Sequence, residues 1–312
     1  MLSRRAFLAS LATLPAMRPG LAEGRLSVVA TTGMIADTAR VLGGAGYAVE
    51  GLMGPGVDPH AYRQTRTDIL AMTRADAVLW HGLYLEAQME DFLLDLGRSR
   101  PVVAVGEAVP QELRIAHDDY AGRADPHVWM DPELWIHVAR AIAETLGELR
   151  PDDALAGSLA AYEAELAALA SYARETLATV PEDARVLVTA HDAFNYFGRA
   201  YGFEVLGIQG ISTESEAGVR RVSELVDRLV ADRIGAVFVE SSVSDRAMRA
   251  LIEGAAAQGH EVAIGGELYS DAMGEEGSYE GTYLGMIDHN VTTIARALGG
   301  TAPEGGRLGL LA

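Results

Sequence analysis

The stretch DALAGSLAAYEAELAALASYARETLATV runs from Asp153 to Val180, in the middle of the chain. Strong helix formers dominate it, and its apolar residues recur at steps of three and four, which predicts one long helix. Pro151 and Pro181 mark the two ends of the pattern. About 28 residues of helix span roughly 40 Å. Such a helix either joins two lobes as a strut or packs inside a single domain.

Short β-branched segments alternate with helical patterns on both sides of this helix, which predicts an α/β fold with parallel strands. We expect an N-terminal unit at residues 24–150, a linking helix at 151–181 and a C-terminal unit at 182–312. Four strands are predicted in each unit: Leu26–Thr31, Tyr47–Leu52, Ala77–Trp80 and Pro101–Val105 in the first, and Arg185–Thr189, Glu204–Ile208, Ala236–Glu240 and Glu261–Ile264 in the second.

The composition of the 312-residue chain excludes several classes of site and partner. The sequence has no cysteine, which removes disulfides, zinc–thiolate sites, cysteine nucleophiles and a lipoprotein anchor. All 25 cationic residues are arginine, which removes lysine Schiff bases and a P-loop lysine. The formal net charge of −19 argues against nucleic acid or an anionic membrane as the main partner.

The first 22 residues have the pattern of an export signal: a basic start, an apolar run from Ala6 to Met17 and small residues up to Ala22. The run is too short to span a bilayer. The segment SRRAFL at residues 3–8 favours a twin-arginine signal, with a general secretory signal as the alternative. We therefore expect a periplasmic protein, with no later transmembrane segment.

Two similar segments, VDPHAYRQT at residues 57–65 and ADPHVWMDP at residues 124–132, each place a histidine behind Asp-Pro. Proline restricts both its own φ and the residue before it, so His60 and His127 follow stiff loops. Two further polar residues, His191 and Asp271, follow strands of the second unit. All four lie beyond the carboxyl ends of predicted strands, where open α/β sheets bind ligands.

Three imidazoles and one carboxylate form a common ligand set for a divalent transition metal. The sequence therefore predicts a metal site made of His60, His127, His191 and Asp271, with two ligands from each unit. The gaps between these residues match no short metal-binding motif. This set suits tetrahedral Zn²⁺, whereas Mn²⁺ prefers more oxygen ligands and becomes acceptable if the aspartate binds through both oxygens.

Five segments together resemble the zinc/manganese class of ABC-transporter solute-binding proteins, the TroA-like group: GVDPHAY, DPHVWMDP, TAHDAFNYFGRAYGF, GISTESEAG and LYSDAMGEEGSYEGTY. The resemblance covers nearly all of the chain after residue 22. It implies two lobes, each a four-stranded parallel sheet flanked by helices, joined by one long helix. It also implies that a monomer captures one Zn²⁺ or Mn²⁺ ion through His60, His127, His191 and Asp271, and delivers it to a membrane ABC permease without catalysing a reaction.

Two departures from the specialised members of that group leave the choice of metal open. Zinc specialists often carry a long histidine-rich loop before the second ligand, and here the matching segment has only His117, Asp118 and Asp119. Manganese specialists usually have glutamate where this chain has His191. Zinc is the better chemical fit to the ligand set, and manganese is the alternative.

Four residues beside the predicted ligands have predicted roles of their own. Asp58 and Asp125 can accept a hydrogen bond from a ligand ring, or they can cap the following turn. His81 follows a strand and is expected to support the site rather than bind the metal, and Glu240 is expected to accept hydrogen bonds.

Two rival functions belong to other classes. One is a secreted zinc metallohydrolase with three histidine ligands and Asp271 or Glu240 as base. The other is a binding protein for a small organic solute.

Overall fold

The computed structural model describes residues 24–117, 121–214 and 217–312. The predicted export signal at residues 1–22 lies outside these ranges, as do Asp118 and Asp119. None of the helices in the described ranges combines the length and the hydropathy needed to cross a membrane.

The first half of the chain forms one parallel sheet of four strands, in the order β2-β1-β3-β4. Its strands are β1 (Leu26–Ala30), β2 (Tyr47–Gly51), β3 (Ala77–Trp80) and β4 (Val102–Ala104). Four helices accompany them: α1 (Gly33–Gly43), α2 (Arg66–Arg74), α3 (Glu90–Leu96) and α4 (Pro132–Leu149). Each strand lies within one or two residues of its predicted bounds, and the four-stranded sheet predicted for this half is confirmed.

The second half contains four parallel strands, but they form two separate pairs rather than the predicted continuous four-stranded sheet. The strands β5 (Val186–Thr189) and β6 (Glu204–Gly207) make one pair, and β7 (Ala236–Glu240) and β8 (Ala263–Leu268) make the other. The strands β5 and β7 lie side by side and share an apolar cluster that includes Val188 and Val237. The pairing of β7 with β8 is irregular between Val237 and Phe238, because the partner residue moves from Ile264 to Gly266 and leaves Gly265 as an extra residue in β8.

The position of β8 also differs from the prediction, which ended that strand at Ile264. Gly265 and Gly266, which directly follow the predicted end, lie inside β8. A Cβ atom at Gly265 would be 2.9 Å from the Phe238 ring, so glycine permits the close packing of this strand. The strand therefore continues to Leu268 and ends three residues before Asp271.

The central helix α5 (Asp153–Leu177) matches the predicted helix to within three residues at its C-terminal end. The Asp152 side chain caps it by accepting a hydrogen bond from the backbone N–H of Ala154 at 2.9 Å. The helix packs against α1 and α4 of the first half and against α6 (Asn195–Tyr201) and α9 (Tyr283–Ala297) of the second. Its buried face therefore belongs to an apolar core shared by both halves.

The two remaining helices, α7 (Val219–Ala231) and α8 (Arg246–Ala257), pack on each other beside β5 and β7. Contacts between the halves are not limited to α5. The backbone N–H of Tyr283, at the start of α9, donates to Asp37 of α1 at 2.9 Å. The helix α9 of the second half therefore contacts α1 of the first half directly.

Candidate metal centre

The four predicted ligands lie together at the ends of strands from both halves. His60 follows β2, His191 follows β5 by two residues and Asp271 follows β8 by three. His127 follows β4 after a longer segment of short 3₁₀ turns. One potential ligand atom from each residue lies within 4.8 Å of those from the other three. All four are buried, and none is more than 3% exposed.

The repeated Asp-Pro-His segments adopt the same local geometry twice. The Oδ1 atom of Asp58 accepts the backbone N–H of His60 at 2.9 Å, and the Oδ1 atom of Asp125 accepts that of His127 at 2.9 Å. Each bond closes a tight turn across the proline. The two aspartates therefore fix the backbone from which each imidazole projects.

The inward-facing atoms of the four side chains lie close to one another. The His127 Nε2 atom lies 3.3 Å from Asp271 Oδ1, and the His191 Nε2 atom lies 3.1 Å from Asp271 Oδ2. The Nε2 atoms of His60 and His127 are 3.3 Å apart. The geometry nevertheless leaves His191 Nε2 and both Asp271 oxygens without a hydrogen-bond partner. Buried polar atoms rarely stay unpaired, so their convergence indicates a site for a cation.

These separations match those around a small divalent ion. Four ligands at about 2.0–2.1 Å from a tetrahedral Zn²⁺ lie roughly 3.4 Å from one another. The distance from His60 Nε2 to Asp271 Oδ2 is 3.8 Å, slightly longer than this edge. Because the two Asp271 oxygens face different histidines, a carboxylate that binds through both oxygens also fits the arrangement.

Two of the imidazoles donate their outer N–H to a buried carboxylate. The His127 Nδ1 atom lies 2.7 Å from Asp125 Oδ1, and the His191 Nδ1 atom lies 2.5 Å from Glu240 Oε2. A proton held at Nδ1 leaves Nε2 free to bind a metal. Asp125 therefore fulfils both predicted roles, because it accepts from the ring as well as from the backbone of His127. Glu240 also accepts hydrogen bonds, as the sequence indicated, since its other oxygen binds the His191 backbone N–H at 2.9 Å.

Asp58 differs from Asp125 in the partner of its second oxygen. Its Oδ2 atom accepts a hydrogen bond at 2.5 Å from the hydroxyl of Thr213, which lies in the loop after β6. This bond joins the His60 segment to the second half of the chain. Of the two roles predicted for Asp58, the structure confirms that of capping the turn. No local pattern predicts such a bond between residues 155 positions apart.

His81 holds the loop that carries His127. Its buried Nε2 donates to the carbonyl oxygen of Pro126 at 2.7 Å, directly before His127. Burial lowers the pKa of His81 to about 3, so the ring stays neutral. The predicted supporting role of His81 therefore agrees with its position.

Burial and the neighbouring carboxylates shift the pKa values of the side chains in the centre. Burial lowers the pKa of His60 to about 3. Burial also opposes protonation of His127, but the charge and hydrogen bond of Asp125 outweigh it and raise the pKa to about 9. Glu240 and Asp271 likewise outweigh burial at His191 and raise its pKa well above the usual value. Against its own burial, Asp271 keeps a pKa well below the usual range because His191 and His127 stabilise its charge.

Comparison with known proteins places these features in a family. Residues 28–297 match the family model of ZnuA, the periplasmic component A of a zinc-uptake complex. The chain is 48% identical to the manganese-binding lipoprotein MntA of Bacillus subtilis over 280 residues, which cover 89% of this chain and 91% of that protein.

It is also 30% identical to the metal ABC transporter substrate-binding lipoprotein FimA of Streptococcus parasanguinis, over 89% of this chain and 90% of that protein. Among solved structures, the periplasmic zinc-binding protein TroA from Treponema pallidum superposes with a TM-score of 0.86 at 44% sequence identity. That match covers 88% of this chain and 99% of the TroA chain.

Proposed function

This chain belongs to the ZnuA family of periplasmic metal-binding components, and on that basis we propose that it binds one divalent transition metal ion through four named side chains. The ligands are His60, His127 and His191 through Nε2, and Asp271 through its carboxylate. The ion is cargo, which the chain captures and delivers to a membrane ABC permease.

The observation that carries this proposal is the set of buried, unpaired atoms that face one another. Both oxygens of Asp271 and the Nε2 atom of His191 have no hydrogen-bond partner. Burying carboxylate oxygens without hydrogen-bond partners is costly, and a bound cation supplies the missing partner. The Nδ1 protons on the two carboxylate-backed rings support the same conclusion, because they turn the lone pairs inward.

A catalytic zinc site, the first rival, fits the geometry less well. Such a site needs three protein ligands, a fourth position open to water and a nearby base. Here the fourth position faces Asp271, whose oxygens lie 3.1 Å and 3.3 Å from two of the histidines. Glu240 is not available as a base, because both of its oxygens bind His191. These contacts support transport of the ion rather than hydrolysis.

An organic solute, the second rival, does not fit the space between the ligands. The potential ligand atoms lie within 4.8 Å of one another. That separation leaves room for a single ion. The relatives named above also support metal as the cargo, since their names assign manganese, metal or zinc.

We infer that the site accepts both Zn²⁺ and Mn²⁺. Three neutral nitrogens and one carboxylate suit Zn²⁺, which binds more tightly than Mn²⁺ at most sites of this kind. The two inward-facing oxygens of Asp271 allow a fifth ligand contact, which suits Mn²⁺. The metal available at the site during loading then decides which ion is carried.

We also infer the larger organisation of the protein. The first lobe comprises residues 24–150 and the second residues 182–312, and the helix within residues 151–181 links them. Support comes from α5, which packs against helices of both halves, and from the ligands, two of which come from each side of it. An export signal at residues 1–22 would place a monomeric protein in the periplasm, beside its permease.

The experiment that tests the proposal measures metal content and ligand identity together. Chain isolated from native periplasm without added metal or chelator should contain about one Zn²⁺ or Mn²⁺ ion by mass spectrometry. Replacing His60, His127, His191 or Asp271 by alanine should abolish tight binding in calorimetric titration of the metal-free protein. As a control, His289→Ala in α9 should bind like the parent. Full binding by the His191→Ala variant would contradict the proposed ligand set.

A further inference from the structure

Trp129 connects two proposed metal ligands that come from opposite halves of the chain. It lies two residues after His127, and its indole Nε1 donates to the carbonyl oxygen of Ser270 at 2.7 Å. Ser270 directly precedes Asp271. One side chain therefore holds the backbone of the Asp271 segment against the segment that carries His127.

The same indole also packs against the His127 ring. The centroids of the two rings are 5.1 Å apart, with an interplanar angle of 64° that gives an edge-to-face contact. Trp129 is completely buried. The orientation of His127 is therefore fixed by Asp125 at Nδ1 and by Trp129 against the ring.

Both ends of this connection are held in place by further hydrogen bonds. The Tyr283 hydroxyl donates to the Trp129 carbonyl oxygen at 2.8 Å, which anchors the Trp129 backbone to the start of α9. The hydroxyl of Ser270 lies 3.1 Å from that of Ser242. The indole N–H consequently meets a carbonyl that is fixed in position.

We propose that Trp129 is a positioning residue for metal retention, a role that rests on the function proposed above. Release of the ion requires Asp271 to move away from His127, and this movement takes the Ser270 carbonyl away from the indole N–H. Leaving the buried indole N–H without its acceptor costs free energy. The cost corresponds to roughly a tenfold change in the equilibrium constant between the closed and the open arrangement of the two ligands. Trp129 therefore slows the departure of the ion by stabilising the closed arrangement of the two ligands.

The chain offers a matched control in Trp135. This indole is also completely buried, and its Nε1 donates to the Thr38 hydroxyl at 3.0 Å. It stacks on Tyr283 at 5.0 Å between centroids, but its hydrogen bond does not reach the metal-binding segments. Substitution by phenylalanine removes the same atoms at both positions, so a general loss of core packing affects both variants alike.

The test compares Trp129→Phe, Trp135→Phe and the parent chain, each loaded with Co²⁺. The dissociation rate is measured by stopped flow after addition of excess chelator, and the visible spectrum of bound Co²⁺ reports its coordination. We expect Trp129→Phe to release Co²⁺ about tenfold faster and to change the spectrum. Trp135→Phe should match the parent in both measurements, even where both variants unfold at lower denaturant concentration.

Equal dissociation rates and spectra for the two variants would overturn the role of Trp129 while leaving metal binding intact. If Trp129→Phe does not fold, Tyr283→Phe tests the same connection at its anchor, because it removes the hydrogen bond that holds the Trp129 carbonyl oxygen in place. That variant should speed release about threefold, and an unchanged rate would overturn the inference. Failure of the parent chain to bind Co²⁺ would instead overturn the proposed function, and this inference with it.

Discussion

At the residue scale, the carboxylates behind the imidazoles decide how strongly each ring can bind a cation. Asp125 and Glu240 accept the Nδ1 protons of His127 and His191 at 2.7 Å and 2.5 Å. Such a carboxylate fixes the tautomer and makes the ring a better electron donor to the metal. His60 differs, because Asp58 accepts its backbone N–H through one oxygen and the Thr213 hydroxyl through the other.

The first prediction concerns Glu240, which holds both the ring and the backbone of His191. The substitution Glu240→Gln should weaken Zn²⁺ binding by about 10- to 100-fold, the usual effect of losing such a partner. Competition with a chelator of known affinity measures the dissociation constant. As a control, Glu267→Gln changes an exposed carboxylate on the adjacent strand and should leave the constant unchanged. Equal affinities for the two variants would show that Glu240 does not support the site.

The second prediction is a dependence of metal affinity on pH. Asp125 raises the pKa of His127 to about 9 despite burial, so the metal-free ring carries a proton at neutral pH. Binding must displace that proton and also the one on His191, whose pKa Glu240 and Asp271 raise, so affinity should rise with pH up to about pH 9, by about tenfold per pH unit for each proton released. Dissociation constants at pH 6, 7 and 8 measure the slope. Asp125→Asn should make the dependence shallower, and a constant affinity over this range would contradict the protonation of His127.

Residue types and strand ends were sufficient to predict all four members of the cluster, which the structure brings together. Their partners were harder to predict. The bond from Thr213 to Asp58 and the bond from Trp129 to Ser270 join segments that are far apart in sequence. Hydroxyl and indole groups are common in many contexts, so their presence alone indicates no particular partner.

At the scale of elements, local patterns predicted most boundaries correctly. The intrinsic propensities of the residues and their burial in the fold favour the same element at those positions. The strand β3 and the strand β7 have the predicted bounds, and α5 ends three residues early. The exception, β8, runs through Gly265 and Gly266, a residue type that ordinarily weakens the interior of a strand. Here the close approach of Phe238 to Gly265 favours glycine, and that contact depends on tertiary packing that the local sequence does not reveal.

The third prediction concerns two glycines in helices. Gly157 lies in the first half of α5, where an added Cβ meets nothing within 4 Å. Gly157→Ala should raise the free energy of unfolding by about 0.5–1 kcal/mol, because alanine restricts the unfolded chain and favours the helix. Chemical denaturation measures the change, and metal affinity should stay the same.

Gly198 in α6 gives the opposite expectation. An added Cβ there would lie 2.7 Å from the carbonyl oxygen of Phe203 and 2.7 Å from a Val205 methyl group. Gly198→Ala should therefore lower the free energy of unfolding, by about 1–3 kcal/mol as for other overpacked sites. A loss of stability in Gly157→Ala, or a gain in Gly198→Ala, would show that these helices pack differently.

At the scale of the whole molecule, the metal centre and the apolar core join the same two halves in different ways. The largest apolar cluster runs from Val28 in β1 through Leu166 in α5 to Ile294 in α9. It holds the halves together whether or not a metal is bound. The centre adds contacts beyond the carboxyl ends of the strands, where His127 of the first half faces Asp271 of the second.

The last prediction follows from this arrangement. An ion that binds only the folded chain stabilises it by about 2.7 kcal/mol when the free ion exceeds the dissociation constant a hundredfold. For a chain of this size, that corresponds to a rise in Tm of roughly 4–5 °C. Differential scanning calorimetry with Zn²⁺ should show this rise, and excess chelator should reverse it. His191→Ala should lose the rise and His289→Ala should keep it, because only the first removes a proposed ligand. An equal rise in both variants would mean that the stabilising ion binds elsewhere.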